Sequence, residues 1–153
     1  MKEYVFVDSN VFIQLLYEGA RAPEAEELLD KHPLLITSVG VVDEVLHFII
    51  RREAVSKYGV RRAYDLRKLV RSKGVGFAKE NLNKFATLLK ELYVKVIGDA
   101  EVGPSEIITV MNDYRLSPRD AILALTCRHY GIIAILTFDE DFKRVPWLKV
   151  IPS

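Results

Sequence analysis

Short β-rich runs alternate along the chain with stretches whose apolar residues recur at helical spacing. Tyr4–Val7 is the first run, ending at Asp8. Asp8 or Ser9 can cap a helix carrying Val11, Phe12, Leu15 and Leu16, and Gly19 is expected to end it. Glu24–Leu29 predicts a short acidic helix with Pro23 near its first turn. Pro33–Thr37 is a second strand candidate, and Ser38 caps a predicted helix from about Val39 to Arg52. Helices are predicted near 54–72 and 79–93, separated by Gly74-Val75-Gly76. Val94–Ile97 is a third strand candidate, and Pro104–Tyr114 and Pro118–His129 are predicted helices that open on proline. Ile132–Leu136 is a continuous apolar run after Gly131, as expected of a buried central strand. Val150 and its neighbours give a short last strand.

Strands alternating with helices imply right-handed crossovers and an α/β fold with a parallel sheet covered on both faces. The stretch 51–93 is helical without an intervening strand, so it predicts a helical excursion within one domain spanning 1–153. A length of 153 residues suits one domain. No apolar stretch approaches the ~20 residues that span a bilayer, so no membrane association is expected. Cys127 is the only cysteine, which excludes an internal disulfide and predicts a reducing, cytoplasmic setting.

Charge changes the picture through its distribution. The net charge is +1, but residues 1–50 carry 3 basic and 9 acidic side chains and residues 51–73 carry 9 basic and 2 acidic. An acidic start beside a basic middle suits a protein that binds a cation in one place and phosphates in another.

Four carboxylates occupy positions where an α/β sheet builds sites, beyond the carboxyl ends of its strands. Asp8 follows Val5-Phe6-Val7, and Asp139 follows Ile135-Leu136-Thr137-Phe138. Glu44 lies in the second turn of the helix leaving the second strand, on a helix apolar on most sides, where a carboxylate needs a partner or a metal. Asp120 lies in the first turn of the helix leading to the Ile132–Leu136 strand. Each also has a structural explanation. Asp8 can be a helix cap, and Ser117-Pro118-Arg119-Asp120 resembles a capping box. Asp43 competes with Glu44, and Glu140 and Asp141 compete with Asp139.

Val-Asp-Ser-Asn-Val-Phe-Ile at 7–13, Ile-Thr-Ser-Val-Gly-Val-Val-Asp-Glu-Val-Leu at 36–46, Leu-Ser-Pro-Arg-Asp-Ala-Ile-Leu-Ala-Leu at 116–125 and Leu-Thr-Phe-Asp-Glu-Asp-Phe at 136–142 together resemble the PIN-domain nucleases, particularly the toxin halves of VapBC-type toxin–antitoxin pairs. The resemblance implies a parallel sheet of order 3-2-1-4-5. It assigns the acidic roles to Asp8, Glu44, Asp120 and Asp139 and supporting roles to Asn10 and Thr137. It implies a metal-dependent endoribonuclease and a small antitoxin partner. An RNA-processing nuclease without an antitoxin, or a non-catalytic RNA-binding module, is the alternative. The segment 51–93 matches no motif, so substrate choice does not transfer.

Hard carboxylate oxygens favour Mg²⁺ or Mn²⁺ over zinc, and His32, His47 and His129 lack a zinc-motif spacing. Such a site hydrolyses a phosphodiester without a protein nucleophile. Lys57, Arg61 and Lys68 are expected on one helix side with Arg62, Arg67 and Arg71 flanking it, and Val60, Ala63, Leu66 and Val70 opposed. Arg61, Arg62 and Lys68 are the candidate RNA contacts. An exposed apolar face on the 54–93 helices favours a homodimer. Asn10 stands where a haloacid-dehalogenase phosphatase places its second Asp, which argues against that class.

Overall fold

Very short strands carry the centre of the molecule. The computed structural model describes residues 1–153. The strands β1 (Val5–Val7), β2 (Leu35–Ser38), β3 (Lys95–Ile97), β4 (Ala134–Leu136) and β5 (Lys149–Ile151) form one sheet of order β3-β2-β1-β4-β5. Every neighbouring pair is parallel, with Phe6 opposite both Ile36 and Ile135. This is the expected order. β1 is buried along its whole length because a central parallel strand is covered on both faces.

Seven α-helices connect the strands: α1 (Ser9–Leu16), α2 (Ala22–Asp30), α3 (Val39–Tyr58), α4 (Ala63–Lys73), α5 (Lys79–Glu91), α6 (Pro104–Tyr114) and α7 (Pro118–His129). Right-handed crossovers put α1 to α5 on one face and α6 with α7 on the other. α1 packs against α2, α3 and α5, and α6 against α7, while α3 and α7 also meet. A core of 30 buried residues joins both layers to the sheet. Phe85 is the one buried residue of α5, and its ring meets Phe12 edge-on at 5.5 Å. No helix is long and apolar enough to cross a membrane.

Several boundaries differ from expectation for local reasons. α3 continues past Arg52 to Tyr58 and stops at Gly59, whose φ of 66° is the left-handed conformation that suits glycine. The amides of Gly59 and Val60 close that end on the carbonyls of Val55 and Ala54. Lys57 therefore belongs to α3, and Arg61 and Arg62 lie in the connection before α4. The expected single row of Lys57, Arg61 and Lys68 along one helix does not exist. α1 ends at Leu16, before Gly19, and β4 begins at Ala134, two residues after Ile132. A 3-10 turn at Glu140–Arg144 was not foreseen.

Candidate metal centre

The order β3-β2-β1-β4-β5 reverses direction between β1 and β4, and open α/β sheets form sites beyond the strand ends at such a reversal. Asp8 leaves β1 at that point and Thr137 leaves β4 beside it. Their positions are fixed through the sheet, because the Asp8 amide donates to the Leu136 carbonyl at 3.0 Å.

Asp8 is only 5% exposed and is held on both oxygens. Its Oδ1 accepts the Ser9 amide at 2.8 Å, which caps α1. Its Oδ2 accepts the Thr137 hydroxyl at 2.7 Å and the Asn10 side-chain amide at 3.3 Å. Asn10 also accepts the Phe138 amide, and the Thr137 oxygen accepts the Asp139 amide at 3.0 Å. The two supporting residues thus tie β1 and β4 together and orient a carboxylate. Capping and site placement turn out to be compatible in Asp8.

Glu44 and Asp43 are neighbours with different surroundings. Glu44 turns inward and accepts a hydrogen bond from the buried Ser9 hydroxyl. Asp43 is exposed on the same stripe of α3 as Val39 and His47 and pairs with His47 and Arg119. Sequence periodicity left this choice open, and it overstated how closed the helix is. The sequence offers Ser9 only as an alternative cap for α1; in the structure Asp8 is the cap and the Ser9 hydroxyl donates to Glu44 instead.

Asp120 sits in the first turn of α7, where the Ser117 hydroxyl accepts the Asp120 amide. Carboxylate oxygens of Asp120, Asp139 and Asp141 lie within 4.8 Å of one another. Asp139 also accepts the Asp141 amide at 2.9 Å, and Asp141 pairs with Arg144 at 3.0 Å.

None of Asp8, Glu44, Asp120 and Asp139 forms an ion pair, whereas Asp43, Asp99 and Asp141 all do. The cost of this grouping appears in the proton affinities. Burial pushes the Asp8 carboxyl up to about 7, against the Thr137 and Ser9 hydrogen bonds that pull it down, and Asp120 and Glu44 add repulsion. Burial also raises Asp120 to about 6, helped by Asp139, Glu44 and Asp141. Hard oxygen donors without protein counter-charges fit a divalent cation, and they do not fit zinc. Burial pushes the Cys127 thiol up and leaves it inert.

The largest cleft lies off this centre. It measures about 880 Å³ between α3 and α4, with Ile50, Val55, Leu66 and Val70 as an apolar floor. His47, Arg51, Arg61, Arg62, Arg67 and Arg71 line it as well. Lys68 does not, and its ammonium instead lies 5.0 Å from the Tyr64 ring centre. Within α3 the His47 ring, at the edge of the cleft, contacts the Asp43 carbonyl at 3.1 Å, and none of Asp8, Glu44, Asp120 and Asp139 lines the cleft.

The sequence model of the PIN domain matches residues 5–148. Ribonuclease VapC2 of Methanocaldococcus jannaschii is 30% identical, over 96% of this chain and 92% of the relative. Ribonuclease VapC6 of the same organism is 25% identical, over 96% and 95%. Among solved structures, a toxin–antitoxin complex from Klebsiella pneumoniae superposes with a TM-score of 0.61 at 18% identity, over 95% of each chain.

Proposed function

The chain belongs to the PIN-domain family, and from that premise we propose that it is a divalent-metal-dependent endoribonuclease, the toxin of a toxin–antitoxin pair. One observation carries the reading: Asp8, Glu44, Asp120 and Asp139 come from four separate segments, Asp120 repels the other three, and none of the four has a cationic partner. Two relatives spanning nearly the whole chain bear the name ribonuclease.

When bound, Mg²⁺ or Mn²⁺ offsets the charge of a phosphodiester and acidifies water. The residues have distinct tasks around it. Asp8 and Asp120 are the central ligands, with Asp8 pre-aligned by Ser9, Asn10 and Thr137. Glu44, oriented by the Ser9 hydroxyl, would bind the ion or orient the attacking water. Asp139 serves a second, weaker site, with Asp141 beside it neutralised by Arg144. Desolvation around Asp8 strengthens each of these interactions relative to water.

The RNA strand follows the arginine-lined cleft, where Arg61 and Arg62 contact phosphates and Lys68 contributes from the outer side of α4. Such contacts position a strand without reading its sequence. An antitoxin covers the acidic centre, and a second copy of the chain makes a homodimer. A small protein encoded immediately upstream that co-purifies and blocks cleavage identifies the antitoxin.

Cleavage of single-stranded RNA tests the central reading. Activity should require Mg²⁺ or Mn²⁺, vanish in excess chelator, and fall to background in Asp8→Asn while circular dichroism stays native. Undiminished cutting in chelator would remove the metal from the mechanism.

A further inference from the structure

Arg119 lies one residue before Asp120 in the first turn of α7, yet its side chain leaves that helix. One guanidinium nitrogen is 3.5 Å from an Asp43 oxygen on α3, the residue before Glu44. Another is 3.6 Å from Asp99, in the connection between β3 and α6. Asp99 in turn accepts the Gly40 amide of the first turn of α3 at 3.2 Å. A planar fork with separate donors can hold two carboxylates at once, which a single ammonium does less well.

Gly40 lets this arrangement lie close against α3. Its backbone is ordinary helix, so no left-handed conformation requires glycine there. A Cβ at Gly40 would stand 2.7 Å from both Asp99 carboxylate oxygens and would meet the Arg119 guanidinium, so these side chains would have to swing aside from their present places. The absent methyl is where the fork and its carboxylate pass over α3.

We propose that Arg119 is a positioning residue for the carboxylate centre: by bridging Asp43 and Asp99 it sets the spacing between α3, which carries Glu44, and α7, which carries Asp120. The inference rests on reading those carboxylates as a metal centre. It explains why Asp43, although it turns away from Asp8, stands beside Glu44: Asp43 anchors the fork. Groups that orient metal ligands without touching the ion typically change affinity 10–100-fold when removed. An exposed ion pair with no such role contributes little to stability.

The test is a Mn²⁺ titration of the full chain, read by the electron paramagnetic resonance of free Mn²⁺, with metal-free melts alongside. Wild type, Arg119→Ala, Arg119→Lys, Asp99→Asn and Gly40→Ala are compared. Arg119→Ala should weaken Mn²⁺ binding by up to about tenfold, the lower end of the effect of groups bonded directly to ligands, with little change in the metal-free melting temperature. Arg119→Lys should not restore wild-type affinity, because charge alone does not reproduce the fork. Gly40→Ala keeps the arginine and favours helix, so it covers the case in which Arg119→Ala fails to fold, and its affinity should fall too. Unchanged Mn²⁺ affinity in Arg119→Ala and Gly40→Ala overturns the proposal. Weaker RNA binding with Mn²⁺ affinity intact also overturns it and makes Arg119 a phosphate contact. Full rescue by lysine overturns the bridging role. A wild-type chain that takes up no Mn²⁺ sinks the metal-centre reading itself, an outcome distinct from variants that match a metal-binding wild type.

Discussion

Asp120 shows how one carboxylate can satisfy two demands of opposite sign. As a first-turn residue of α7 it gains from the helix dipole, worth roughly 0.3–1 kcal/mol at most exposed sites. Burial raises its carboxyl, and repulsion by Asp139, Glu44 and Asp141 adds to the rise, pushing it up to about 6. The hydrogen bond with Ser117 pulls the other way and does not offset these two causes, so the net displacement is upward from 3.8. A carboxyl with a raised folded pKa holds its proton more tightly in the folded chain. Its stabilising contribution is complete below the unfolded value near 3.8 and is lost as pH rises through about 6 for Asp120 and about 7 for Asp8. Metal-free protein should therefore lose melting temperature between about pH 4 and pH 8 through these two groups. Asp120→Asn should show a shallower loss and melt above wild type at neutral pH without metal. Paired thermal melts across that range check it, and a variant that melts lower than wild type would leave Asp120 as a helix-start residue only.

At the scale of elements, α4 stands apart. It has no buried residue, and its half-buried Leu66 and Val70 face the cleft toward α3. An amphipathic helix gains most of its stability from packing its apolar face, so α4 is the least anchored helix of the fold. Its basic residues are accordingly available to a ligand. Replacing Arg61, Arg62 and Lys68 with Ala should flatten the salt dependence of RNA binding by about 0.7 log units per lost phosphate contact on a single strand. Arg61→Ala with Arg62→Ala should account for most of that change, since both line the cleft and Lys68 does not. Mn²⁺ affinity should stay as in wild type. An unaltered slope moves the strand's path off this cleft.

For the whole molecule, the carboxylate centre is a junction. Asp8 follows β1, Glu44 is on α3, Asp120 on α7 and Asp139 after β4, so cations bound among them would tie distant segments of chain. Binding to the folded state alone stabilises by about 2.7 kcal/mol at a hundredfold excess over the dissociation constant. At this chain length each kcal/mol raises the melting temperature by roughly 2–4 °C. Wild type should show that rise with Mn²⁺ and Asp8→Asn should show much less. Equal rises in both would place the ion elsewhere.

The sequence by itself determined the alternation of strands and helices, the limits of α6 and α7, and which acids stand at strand ends. Pro104 and Pro118 open those helices and Tyr114 and His129 end them, as the local signals imply. Capping groups and fixed φ angles act within one turn, so neighbouring residues suffice to read them. The resemblance to a family supplied the strand order, which no local signal contains. Only the tertiary structure distinguishes the surroundings of Asp43 from those of Glu44. Adjacent helical residues point about 100° apart, and only the packing of α3 against α1 turns Glu44 toward Ser9 and leaves Asp43 to Arg119. Tertiary structure likewise closed Arg119 over Gly40 and Asp99, from segments 59 positions apart for the last two. Contacts between distant segments depend on how the layers dock, and the side chains that make them carry no mark of it in their own neighbourhood.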